Sequence, residues 1–162
     1  MNFLRLSKTI TGLAIACTAS FSASLVFAQP SLTATAAPLV SESWIKTTIP
    51  GSAVSAAYMQ IKSATPFKLI KAESPVAGMV EIHDMKMNGG VMEMKALDAI
   101  DVPANKAVTL KPGGMHVMLM KVKKPINKGD KIPMTLTFEA ANKKSVLVTL
   151  ELIARESAAA GH

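Results

Sequence analysis

Cysteine is almost missing from this 162-residue chain: the one present is Cys17. A disulfide framework is therefore excluded, as is any Cys-rich zinc site. Aromatic residues make up only 4%, with one Trp and one Tyr. Single-strand nucleic-acid surfaces need aromatics interleaved with basic groups, so the formal charge of +7 does not by itself indicate such a partner. No stretch keeps a helical apolar stripe for three turns, the Ala-rich residues 53–60 coming nearest. Charged residues are sparse at 18%, whereas apolar ones reach 49%, enough to bury a core and to exclude a disordered chain. The length suits one domain.

Residues 1–28 read as an export signal. Arg5 and Lys8 precede an uncharged, largely apolar stretch from Ile10 to Val26, and Val26-Phe27-Ala28 supplies small residues at the −3 and −1 positions before Gln29. An alternative lipoprotein reading takes Ala14-Ile15-Ala16-Cys17 as the cleavage box, after a very short apolar region. Cleavage near Ala28 would remove two positive charges and the sole thiol, giving an exported, thiol-free domain. The expected organisation is a signal peptide (1–28), a flexible segment of small residues and proline (29–38), a β domain (39–154) and a short tail (155–162).

Beyond residue 38 the pattern is of short strands. Leu39–Thr48, Val54–Lys62, Phe67–Ala72, Met79–Met85, Val91–Leu97, Ala107–Leu110, Met115–Val122, Lys131–Phe138 and Ser145–Ile153 all have strand character. Turn signals separate them, among them Pro50-Gly51, Asn88-Gly89-Gly90, Pro112-Gly113-Gly114 and Asn127-Lys128-Gly129-Asp130. Alternation is clearest in Met134-Thr135-Leu136-Thr137-Phe138. Many short strands at close spacing predict an antiparallel sandwich or barrel.

Eight of the ten methionines after Met1 lie between positions 79 and 120, and that window also holds His83 and His116. Methionine is an ordinary filler of cores, but filling alone does not gather it around the two internal histidines. Side chains at i and i+2 share a strand face, so His116, Met118 and Met120 align, as do Met92 and Met94. A hairpin through Gly89-Gly90 would bring His83 and Met94 close. Thioethers are soft, uncharged donors suited to Cu(I), and imidazole tolerates either copper state. A blue-copper centre needs a thiolate, and hydrolytic zinc normally needs three His or a carboxylate. Regular alternation is expected to turn Glu81, Asp84 and Glu93 away from the ligand face.

The segments Glu81-Ile82-His83, Gly90-Val91-Met92-Glu93-Met94, Val102-Pro103-Ala104 and Pro112-Gly113-Gly114-Met115-His116-Val117-Met118-Leu119 resemble the periplasmic copper chaperones of the PCu(A)C family. That family's pattern is a His, ten residues, a Met, twenty-one residues, then His-x-Met. It falls here on His83, Met94, His116 and Met118. The likeness extends through Ser43-Trp44-Ile45, Ala56-Ala57-Tyr58-Met59, Ser74-Pro75-Val76-Ala77 and Leu136-Thr137-Phe138. The resemblance implies an all-β, cupredoxin-like Greek-key antiparallel β-sandwich holding one Cu(I) near one end. It also implies copper delivery, with a cytochrome c oxidase subunit as acceptor and a Sco-type thioredoxin-like protein alongside. Glu93 departs from the Lys or Arg usual between the two methionines, and Met115 precedes His116 where other side chains are common.

Met85, Met92 and Met120 are candidate auxiliary ligands. Together with Met87 they form either an apolar collar that keeps water out or a set of alternate thioethers for transfer. Lys106, Lys111, Lys121, Lys123, Lys124, Lys128 and Lys131 supply a basic surface, read as solvation or as steering toward an acidic acceptor. No nucleophile–base or acid–base pair is evident, so the expectation is a binding protein rather than an enzyme. A copper-dependent redox enzyme, a periplasmic copper store and a structural sandwich with Met as core remain the alternatives.

Overall fold

In the computed structural model residues 36–156 are described; the expected signal peptide, most of the small-residue segment before the domain and the last six residues lie outside them. Ten strands make up the described chain: β1 (Leu39–Lys46), β2 (Val54–Lys62), β3 (Phe67–Glu73), β4 (Ala77–Asn88), β5 (Val91–Leu97), β6 (Ile100–Val102), β7 (Val108–Leu110), β8 (His116–Val122), β9 (Lys131–Ala140) and β10 (Ser145–Arg155). The Ala-rich stretch 53–60 is strand from Val54 onward. Its alternate side chains Ser55, Ala57 and Met59 are buried, a period of two that a helix could not satisfy. The short β6 escaped the sequence pattern because three residues show no periodicity; its pairing with β3, Phe67 opposite Val102, defines it.

Hydrogen bonds run through the strands in the order β5-β4-β8-β2-β1-β10-β9-β3-β6, with β7 added on β2. β1 joins the two halves, pairing antiparallel with β2 and parallel with β10. The pairing is otherwise antiparallel between the named strands, as expected of a Greek-key antiparallel β-sandwich, and β1–β10 is the parallel pair among them. β1 cannot be a hairpin partner of both neighbours, and the chain between β1 and β10 is long enough for the crossover a parallel pair requires. A register shift between Ser41 and Trp44, with Glu42 at φ 50°, bends β1 where it passes from one half to the other.

Side chains from strands far apart in that order bury one another. Met59 of β2 and Leu119 of β8 belong to the same core as Leu69 of β3, Leu136 and Phe138 of β9, and Leu152 of β10, each at most 1% exposed. The strand order therefore folds over into two layers around one core, a β-sandwich. The chain crosses between layers at β2–β3, β3–β4, β5–β6, β6–β7 and β8–β9, whereas β4–β5 and β9–β10 are local hairpins, as in Greek-key folds. The predicted alternation holds in β9: Ile132, Met134, Leu136 and Phe138 point inward.

Candidate metal centre

The hairpin β4–β5 turns through Gly89 (φ 56°) and Gly90 (φ 83°), consecutive left-handed residues that suit a two-residue turn matched to strand twist. That turn fixes the register: Met87 faces Met92, Met85 faces Met94, and His83 faces Ala96. On the other side β4 pairs with β8, setting His83 opposite His116, Glu81 opposite Met118, and Met79 opposite Met120. β2 follows, with Ala56 opposite Met118 and Val54 opposite Met120. One face of this half-sheet thus carries both histidines and seven methionines. The reverse face carries Ile82, Val117, Leu119 and Ala57, all core.

Although they stand on the face turned away from the core, His83 and His116 are only 9% and 4% exposed. Their rings lie edge to face with centroids 5.8 Å apart, and Tyr58 continues the row 6.4 Å beyond His116 and 4.5 Å from Trp44. Burial raises the pKa of the Tyr58 phenol above its ordinary value. Beside His116 an open recess of about 260 Å³ is lined by Met85, Met94, His116, Met118 and Tyr58, with Ile49 from the β1–β2 connection. That connection is anchored at Thr48, whose N–H donates to the Ile126 carbonyl (3.0 Å) while its hydroxyl accepts from the Ile126 N–H (3.0 Å).

The hydrogen bonds assign the protons. His116 Nδ1 donates to the Gly114 carbonyl at 2.9 Å, which leaves Nε2 as its basic nitrogen. His83 Nε2 donates to a carboxylate oxygen of Glu81 at 2.8 Å, which leaves Nδ1 as the basic nitrogen. Nδ1 of His83 is buried with no hydrogen-bond partner. A buried lone pair without a donor costs about 1–3 kcal/mol, so the site retains an acceptor that a bound cation would satisfy.

The expectation for Glu81 is thereby corrected. Residues 81 and 83 have the same parity, so both side chains share one face, and Glu81 touches the histidine instead of pointing away. Asp84 and Glu93 do face the other side, where Asp84 pairs with Lys86 (3.0 Å) and Glu93 accepts from Asn88 (3.4 Å). Among the described residues no three His, Cys, Asp or Glu side chains group as a metal site. The donors this face offers are imidazole nitrogens and thioethers, Met94 and Met118 among them, a set whose softness suits a soft monovalent ion.

The structure sorts the remaining methionines. Met59 and Met134 are core, 1% exposed, and Met115 packs against the core. Met85 lines the recess, whereas Met120 is half-buried between Val54 and Met79. Met87 and Met92 are exposed at the hairpin tip, and so form no collar against water. Sequence reasoning missed Glu81 as a partner of His83; the i, i+2 spacing was the available signal.

The two-layer β-sandwich is the fold of PCuAC domains. The copper-bound PCuAC domain from PmoF2 is similar in fold, with a TM-score of 0.61 at 26% identity, covering 76% of this chain and 96% of that domain. The Cu(I) form of DR1885 from Deinococcus radiodurans matches with a TM-score of 0.52 at 29% identity, over 76% of this chain and 84% of that one. In sequence, the "Putative lipoprotein Lxx21020" of Leifsonia xyli subsp. xyli is 33% identical over 116 residues, 69% of this chain and 68% of its own. Residues 39–150 match the family described as "Putative lipoprotein LpqE-like", and the chain belongs to that LpqE-like family.

Proposed function

We propose that this protein is an exported copper metallochaperone that binds one Cu(I) through His83, Met94, His116 and Met118 and passes it to a cuproprotein. The observation that carries this reading is the buried, unpartnered Nδ1 of His83 beside the ring of His116. Met94 and Met118 line the recess beside His116. The copper-bound state of two structural neighbours supports copper as the cargo, and the all-neutral donor set favours Cu(I). In this reading Glu81 and the Gly114 carbonyl hold the two imidazoles in opposite tautomers, so that copper meets Nδ1 of one and Nε2 of the other.

Thioether and imidazole donors carry no formal charge while they hold copper. A partner's donors can replace them one at a time, which suits a carrier better than a store. The acceptor proposed is a cytochrome c oxidase subunit, with a Sco-type thioredoxin-like protein as companion, on the strength of the family resemblance. The test is anaerobic Cu(I) titration against a chromophoric chelator, using the chain from Gln29 and its His83→Ala/Met94→Ala/His116→Ala/Met118→Ala variant. One equivalent held tightly by the wild type and lost in the variant is expected; equal, weak binding by both would return the methionines to a packing role. Copper-loaded protein should turn over oxygen species no faster than free copper, and a higher rate would make it an enzyme.

The names of the matched family and of the Leifsonia relative favour a second reading of its attachment. Cleavage before Cys17 with lipidation of that thiol would tether the domain to a membrane, whereas cleavage after Ala28 would release it into the periplasm. The intact mass of the exported protein decides between them.

A further inference from the structure

Two exposed methionines have no packing role to explain them. Met87 is 69% exposed and Met92 62%, directly opposite each other at the tip of the β4–β5 hairpin. β8 pairs with β4 only as far as His83, and β5 is the edge strand, so residues 84–88 and their partners project as a two-stranded ribbon. The two faces of that ribbon differ sharply. One has the opposite-charge rungs Lys86–Glu93 and Asp84–Lys95; the other has the thioether rungs Met87–Met92 and Met85–Met94.

The turn governs how close those thioethers come. Asn88 and Val91 close the two-residue turn as a hydrogen-bonded pair, so alternation makes both methionine rungs non-hydrogen-bonded pairs. In such pairs the Cα atoms stand about 4.5 Å apart and side chains are closest. Each Met has three rotatable bonds beyond its backbone, so two sulfurs of a rung reach a common point without strain. Exposure falls along the ribbon, from Met87 and Met92 through Met94 at 48% to the half-buried Met85 and then to the buried histidines.

We propose that the Met87–Met92 rung is a second, outer binding site for a soft monovalent cation, Cu(I), and that Met85 and Met94 hand the ion from it to the histidine pair. The outer site rests on its own thioether chemistry; its role as an entry point rests on the copper reading of the inner site. Transfer is ligand exchange alone: one S–Cu bond breaks as another S–Cu bond, or at the histidines an N–Cu bond, forms, and copper stays Cu(I). Thioethers without nitrogen or carboxylate donors hold hard and borderline divalent ions poorly, so the tip selects by softness before the inner site is reached.

The test follows the methyl signals of methionines labelled at Cε while Ag(I), a redox-inert soft monovalent ion, is added to the chain from Gln29. In the wild type the first equivalent shifts Met94 and Met118, and further ion shifts Met87 and Met92. The same tip shifts appear in a His83→Ala/His116→Ala variant, which lacks the inner nitrogens. A Met87→Leu/Met92→Leu variant, altered only at exposed positions, keeps the first equivalent, loses the second and takes up Cu(I) from a bulky chelator complex more slowly. Met87 and Met92 signals that stay fixed while Met94 and Met118 respond would overturn the outer site and leave the inner one standing. No response from any methionine would overturn both.

Discussion

Replacing Glu81 by leucine removes a carboxylate that never touches the metal, yet it should weaken Cu(I) binding by about tenfold. The carboxylate holds His83 Nε2–H at 2.8 Å, with the His83 side chain 11% exposed and that of Glu81 42% exposed. Carboxylates behind metal-ligating histidines are worth roughly 10–100-fold in affinity, and the solvent around Glu81 puts this one at the lower end. Tenfold corresponds to about 1.4 kcal/mol. Glu81→Gln keeps an acceptor oxygen for Nε2–H but discards the charge. A charge-assisted hydrogen bond is about twice as strong as a neutral one, so the glutamine variant should lose about half that energy, roughly threefold in affinity. Chelator competition measures both losses. Long-range proton–nitrogen NMR of the copper-free protein reads the cause directly: the proton sits on Nε2 of His83 in the wild type and the glutamine variant, and spreads over both nitrogens in the leucine variant. Leucine-variant affinity within twofold of wild type, with His83 still protonated on Nε2, would refute the positioning role.

Three further outcomes are expected. Tyr58 is the single tyrosine, so phenolate absorbance follows it alone; burial raises its pKa, and the midpoint should lie above the value of about 10 found in unfolded protein. Because the folded state holds that proton more tightly, this contribution to stability is complete below about pH 10 and is lost as pH rises through the folded midpoint. Gly90→Ala places a side chain at φ 83° and should cost about 1 kcal/mol, read as a fall of about 3–5 °C in Tm, with a looser hairpin register that weakens copper binding as well. Phe138→Ala, at a position with no exposure and an edge-to-face neighbour in Phe67 at 6.3 Å, should cost about 3–5 kcal/mol in denaturant unfolding.

The basic surface gives no comparable anchor for prediction. Lys123 donates to the Pro75 carbonyl at 2.8 Å and Lys128 lies 3.6 Å from Glu156, contacts of surface solvation in which pairs contribute little. Steering toward an acidic acceptor is tested by salt alone, since screening at high ionic strength suppresses it.

Much of this protein was readable along the chain. Nine strands follow from alternation and turn residues, and the Asn88-Gly89-Gly90 signal sets a register that a slip of one residue would invert. Parity placed His116, Met118 and Met120 on one face of a strand and Met92 and Met94 on one face of another, because alternation is a property of sequence, and the family resemblance picked out His83, Met94, His116 and Met118 among them. Other features belong to the tertiary structure alone. The parallel alignment of β1 with β10 joins residues more than a hundred positions apart, and no local pattern encodes it. Which methionines are core and which stand in solvent also depended on packing: Met59 and Met87 look alike in sequence, but one layer closes over the first and the hairpin tip carries the second outward. The burial of two histidines on an outward face arises where β4, β8 and the β1–β2 connection meet. Sequence thus determined the donor types available and the face they share. Only the fold decided that the free Nδ1 of His83 is buried away from water, because neighbouring strands close around it, whereas the partner that holds each imidazole's other nitrogen stands just two residues away along the chain.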